Sequence, residues 1–168
     1  SAAIAVLDRV LEGHPVEQVL TNWSRRARYA GSSDRAVVRD IVFQCLRCRA
    51  SCAALGGGLT GGGLFLGFAR AEGEGAEAKY FSGAPHDPAP PDPATEVGRA
   101  PQGAEAYDIP GWLELPLRTS LGAELEPVMA VMRARAPVFL RVNPRRGTLA
   151  KAIEVLAADG ITAVACAD

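Results

Sequence analysis

The sequence predicts a mainly α protein: a helical bundle followed by the start of a small α/β subdomain of βαβ type. Three observations carry that reading. Apolar residues recur at three- and four-residue spacing through most of residues 2–55, the signature of amphipathic helices. A glycine-rich stretch and then a proline-rich one interrupt the pattern from Gly56 to Gly103. Beyond Pro137, two short β-branched runs, Val138 to Val142 and Ile161 to Ala165, flank one segment of helical period.

The elements follow in order. Residues 2–12 form a first helix with Ile4, Leu7 and Leu11 on one side, ended by Gly13. Pro15 opens a second, whose positions Val16, Val19, Leu20, Trp23 and Ala27 keep helical spacing to near Gly31. Ser32 to Leu55 reads as the longest uninterrupted helix and the organising one. Ser32 or Ser33 caps it, Asp34 meets the positive end of its dipole, and Val38, Ile41, Val42, Cys45 and Leu46 form its buried stripe. Short connections force these three to pack antiparallel.

Leu64 to Ala71 starts another short helix. Ser82 to Gly103 holds six of the twelve prolines and reads as a long loop or linker. Asp108, Ile109 and Pro110 introduce a helix holding Trp112, Leu113, Leu117 and Leu121, and Gly122 separates it from a second helix over Glu124 to Arg135. Thr148 caps a last helix with Ile153, Val155 and Leu156, which Gly160 stops. Two parallel strands and one helix do not cover both faces of a sheet, so the chain is expected to end inside a larger fold. Its start at Ser1 reads as trimmed.

A chain of 168 residues with 48% hydrophobic content can bury a core, and no apolar run is long enough for a transmembrane span, so a cytoplasmic protein is expected. The net charge of -1 conceals strong segregation. Residues 25–49 hold seven arginines against Asp34 and Asp40, whereas residues 72–108 hold eight acids against Lys79 and Arg99. Residues 133–151 carry five arginines and Lys151 with no acid. Two basic blocks around an acidic one fit a polyanionic partner, and a solvated charged face is the plain alternative.

Candidate chemistry is sparse. Gly56, Gly58 and Gly61 formally match G-x-G-x-x-G, but a helix rather than a strand precedes them, which speaks against a nucleotide loop. Cys45, Cys48 and Cys52 share a helix face without a fourth ligand nearby in sequence, so small buried hydrophobes are expected rather than a metal site. Cys166 has no histidine in its segment to serve as base, since His14 and His86 are the whole inventory. No catalytic, cofactor-binding or metal residue is assigned.

The run Asp108-Ile109-Pro110-Gly111-Trp112-Leu113, then Ala136-Pro137-Val138-Phe139-Leu140-Arg141-Val142-Asn143 and Arg146-Gly147-Thr148, resembles the pre-catalytic region of the Sun (RsmB, Fmu) RNA 5-methylcytosine methyltransferases. Ala3 to Gly13, Ser33-Asp34-Arg35 and the Arg39 to Arg49 helix resemble the NusB-like helical domain that opens those proteins. The glycine-rich and proline-rich stretches depart from many relatives. The resemblance implies a NusB-like bundle over 1–81, a linker over 82–106, a helical pair over 107–136 and the βαβ start over 137–168.

It also implies RNA, ribosomal in kind, as partner, and an S-adenosylmethionine-dependent methyltransferase domain in cis beyond this chain. Neither Cys45, Cys48, Cys52 nor Cys166 follows a proline, so the family's Pro-Cys motif has no counterpart here and the fragment alone is expected to be inactive. The RNA-binding role falls on Arg25, Arg26, Arg28, Arg35, Arg39, Arg47 and Arg49 in the bundle and on Arg141, Asn143, Arg145 and Arg146 after it. Arg141 and Asn143 read equally well as a strand end and turn. A NusB-like interaction or antitermination module without an enzyme is the alternative function.

Overall fold

Every third or fourth residue of the first segment is apolar, and it coils accordingly. In the computed structural model, which describes residues 1–93 and 97–166, α1 (Ala2–Leu11) buries Ala3, Val6 and Leu7. Residues 94–96 of the expected linker and 167–168 at the end of the expected βαβ unit lie outside the described residues. Pro15, extended at φ -61° and ψ 127°, leads into α2 (Val16–Arg26), which ends earlier than expected at Ala27. Then follow α3 (Ser32–Arg47), α4 (Arg49–Leu55), α5 (Gly61–Ala71) and α6 (Ala76–Tyr80). Ser32 and Ser33 are the first helical residues rather than the cap; Gly31 occupies that position, and its N–H donates to Asp34 Oδ2 at 2.9 Å.

The expected single helix from Ser32 to Leu55 breaks at Cys48, whose φ of -106° and ψ of 41° depart from helical values. The break lets the second half turn and meet α5. That helix, which the sequence suggested only as a short piece, is the central one: it packs on α1, α3, α4 and α6, and Leu64, Phe65, Leu66 and Ala69 are all buried. Val42, Cys45, Cys48 and Cys52 supply the α3–α4 side of the same core, while Val38, Ile41 and Leu46 lie half-buried at its edge.

Glycine makes the close approach possible. A Cβ on Gly67 would lie 1.9 Å from the Cys52 carbonyl oxygen, and one on Gly56 would lie 1.8 Å from that of Gly63. Both obstacles are backbone, so neither can swing aside. The glycine-rich stretch therefore sets the α4–α5 spacing, a role the G-x-G-x-x-G match did not suggest.

The chain divides into two packed units, Ser1–Arg135 and Ala136–Asp168. The first also contains α7 (Ala104–Tyr107), α8 (Gly111–Leu121), a 3-10 turn over Gly122–Glu124 and α9 (Leu125–Met132), anchored by buried Leu125 and Met129. Trp112, expected among the apolar positions of α8, points outward with 76% of its surface exposed.

The second unit contains α10 (Leu149–Ala158), which Thr148 caps by accepting the Lys151 N–H at 3.3 Å. The strands expected at Val138 to Val142 and Ile161 to Ala165 are a correction: among the described residues neither segment forms a β-ladder. Phe139 is 74% exposed and Val164 82%, so neither run has an apolar surface to lie on. A strand pair without a third strand or a covering layer buries too little to offset the entropy of ordering it.

Candidate nucleic-acid interface

The turn between α2 and α3 gathers the first basic group. Arg25 and Arg26 end α2, Arg28 follows, and all three are exposed. Among the described residues none of the three has an acidic partner within 4.0 Å. Arg35 behaves differently, because its Nη2 donates to the Ala27 carbonyl at 3.3 Å and holds the turn closed from inside. Arg39 stands beside Asp40 at 3.6 Å, and Arg135 reaches the same carboxylate at 3.5 Å.

A second group sits at the other end of α3, roughly 22 Å away along a helix of this length. Arg47 is half-buried and donates to Gln44 Oε1 at 2.6 Å, whereas Arg49 is exposed at the start of α4. Both line a cleft of about 940 Å³ floored by Leu46, Ala50, Ala53 and Ala54. Arg99 lies on the same cleft but is engaged by Glu105 at 2.7 Å. That contact raises the arginine's pKa and lowers the carboxyl's.

Arg141, Arg145 and Arg146 are exposed in the second unit. Asn143 is engaged locally: its Oδ1 accepts the Arg145 N–H at 3.0 Å and its carbonyl accepts the Arg146 N–H at 2.9 Å. It closes a turn that presents the neighbouring arginines.

Two arrangements escaped the sequence reading. Tyr29, next to Arg28, is 67% exposed and stacks on His86 with ring centroids 4.9 Å apart and planes 11° from parallel. An isolated tyrosine carries no periodic signal, and its partner is fifty-seven positions away in the proline-rich loop.

The other is a buried polar knot. Ser51, 1% exposed, donates its N–H to Asp108 Oδ1 at 2.8 Å and its hydroxyl to Oδ2 at 2.7 Å. Arg133 brings its Nε to 2.8 Å from that carboxylate as an ion pair, without aiming the N–H along it, and its Nη2 donates to Ser51 Oγ at 3.0 Å. Serine beside aspartate resembles a nucleophile and base, but no substrate can reach a serine this buried. The knot ties α4, the loop before α8 and the end of α9.

The other candidates of the sequence resolve into packing. Asp8 accepts the Gly61 N–H at 2.7 Å and Thr60 Oγ1 accepts the Gly63 N–H at 3.0 Å, so the chain's own groups already occupy the start of α5 where a phosphate would sit. Cys45, Cys48 and Cys52 are buried free thiols. Hydrogen bonding with Cys52 and burial push the Cys45 thiol far up, and burial with the nearby Asp108 charge pushes Cys48 up. Among the described residues no group of three or more His, Cys, Asp and Glu could hold a metal ion, and no helix is long and apolar enough to cross a membrane.

Comparison with known proteins bears on the second half of the chain. Residues 109–168 match the family model described as the ferredoxin-like domain of RsmF/B-like methyltransferases. No curated protein and no solved structure matches the chain. The matched stretch begins one residue after Asp108 and takes in α8, α9 and α10. Over residues 109–168 the chain is similar to the RsmF/B-like methyltransferases, the family that its Asp108 to Thr148 motifs resemble.

Proposed function

We propose that this chain is the RNA-binding, pre-catalytic region of an S-adenosylmethionine-dependent RNA cytosine-C5 methyltransferase that acts on ribosomal RNA. The match of residues 109–168 carries the reading. The exposed arginines without acidic partners support it, because guanidinium forks suit phosphate oxygens and are not neutralised by neighbours. In this reading residues 1–81 form the NusB-like bundle, 82–106 a linker and 107–136 a helical pair. Residues 137–168, with α10, belong to the ferredoxin-like domain. The methyl donor and the catalytic cysteines belong to a domain in cis, so this chain alone neither binds S-adenosylmethionine nor transfers methyl groups, and it works in the cytoplasm.

Arg25, Arg26, Arg28 and Arg49 are the bundle's principal phosphate contacts, with Arg39 and Arg47 secondary and Arg35 positioning the turn. Arg141, Arg145 and Arg146, presented by the Asn143 turn, are the second unit's phosphate contacts. The test is a fluorescence-anisotropy titration of the purified chain against a structured ribosomal RNA fragment over several salt concentrations. Binding that weakens steeply with salt is expected. No measurable binding at low salt would refute the role.

A further inference from the structure

The basic turn also carries an aromatic surface. Tyr29 follows Arg28 directly, and one face of its ring is covered by the imidazole of His86 while two thirds of the residue stays open to solvent. The loop that delivers His86 is built rather than slack. Gly83 N–H donates to the Pro88 carbonyl at 3.0 Å, Asp87 N–H to that of Ala84 at 2.9 Å, and Ser82 Oγ to Asp87 Oδ2 at 2.5 Å. His86 itself is held at φ +78°, a left-handed conformation unusual for a residue with a side chain. The result is a two-ring stack fixed at the protein surface.

Asp34 and Asp87 lie on the same surface, each held by a neutral donor, the Gly31 N–H and the Ser82 hydroxyl respectively. Arg28 adjoins Tyr29 in the chain and Arg25 and Arg26 close α2, and among the described residues none of the three has an acidic partner within 4.0 Å. A cleft of about 670 Å³ opens alongside, lined by Trp23, Tyr29 and His86 among others, and its charged side chains are Lys79, Asp34 and Asp87. An open ring next to unpaired cations is the combination that single-stranded nucleic acid requires, with phosphates on the arginines and a base on the ring.

We infer that Tyr29, backed by His86, is a stacking platform for one unpaired base of the RNA. The inference deepens the RNA-binding reading and rests on it. It predicts that binding here is not purely electrostatic, so a loop or single-stranded stretch is preferred over a continuous duplex, whose bases are buried in their own stack.

The experiment compares Tyr29→Ala, Tyr29→Phe and His86→Ala with the parent chain, using a single-stranded RNA oligonucleotide and the same oligonucleotide made of abasic sites. Thermal melting of each variant establishes that it is folded. Tyr29→Ala is expected to weaken binding to the normal strand by about 5- to 100-fold, with the salt slope unchanged, and Tyr29→Phe to stay near the parent. His86→Ala is expected to fall between them. On the abasic strand all four proteins should bind alike. Equal binding of the normal strand by Tyr29→Ala and the parent overturns the platform while leaving the RNA role intact. Loss on both strands alike overturns it too, because the ring then acts on something other than a base. Absence of binding by the parent itself would instead remove the reading on which the platform rests.

Discussion

Asp108 shows how one residue can hold several elements. It sits at φ +57° with its side chain only 2% exposed, and it meets a helix amide, a hydroxyl and a guanidinium together. Removing Arg133 leaves that carboxylate buried and unpaired, a change that typically costs about 3–5 kcal/mol. Arg133 is itself 35% exposed, so water can partly replace it and a loss of about 2–3 kcal/mol is expected for Arg133→Ala on urea denaturation. Asp108→Asn in the same background should recover part of the loss. A change below half a kcal/mol would show that the knot does not matter to stability.

The thiols give a second test at this scale. Cys45 and Cys48 are raised in pKa when folded, so they stay protonated where an unfolded thiol, titrating near 9.0, does not. The folded state then binds more protons above that pH. Their contribution is full below about pH 9 and is lost as pH rises beyond it. Stability should therefore decline on the alkaline side, less so in Cys45→Ala, and in native protein exposed Cys166 should react with iodoacetamide well before the buried three.

At the scale of elements, the decisive contact is α4 on α5. Gly67→Ala would drive a methyl group into the Cys52 carbonyl, and the helices must separate, with a penalty of about 1–3 kcal/mol or more by denaturant midpoint. Leu64→Ala, at the fully buried centre, should cost about 2–5 kcal/mol. Ile41→Ala should cost less, because Ile41 lies half-buried at the edge of the core. Equal losses at the two sites would mean that α3 rather than α5 is the central helix. The heptad-like stripe of α3 was legible from spacing alone. The centrality of α5 was not, since a helix buried on nearly all sides has no polar face and thus no amphipathic signal.

For the whole molecule, the charge segregation read from the sequence includes, at the α2–α3 turn, three exposed arginines without an acidic partner among the described residues. Replacing Arg25, Arg26 and Arg28 together by Gln should weaken RNA binding and flatten the logarithmic salt slope by roughly 0.7–0.9 per lost phosphate contact. Arg99 and Arg118 serve as controls, since each is already paired, with Glu105 and Glu114 respectively. If the triple variant binds like the parent at every salt concentration, the turn is a solvated face and any RNA role passes to Arg49, Arg141, Arg145 and Arg146.

The sequence by itself determined the helical positions, the proline-rich interruption and the segregation of charge, because each is written in local spacing or composition. It also held the family signal, in the short run from Asp108 to Thr148. Which arginines are free was decided by tertiary structure: Arg35 and Arg47 look like Arg25 and Arg49 in sequence, yet the first two bond inward to Ala27 and Gln44. The Ser51–Asp108 bond and the Tyr29–His86 stack likewise join groups 57 positions apart, and Arg133 reaches Ser51 across 82. The strand runs at Val138 and Ile161 show the converse. Local propensity marks them plainly, but a ladder forms only where neighbouring strands and a covering layer remove the apolar side chains from water, and within the described residues nothing does so.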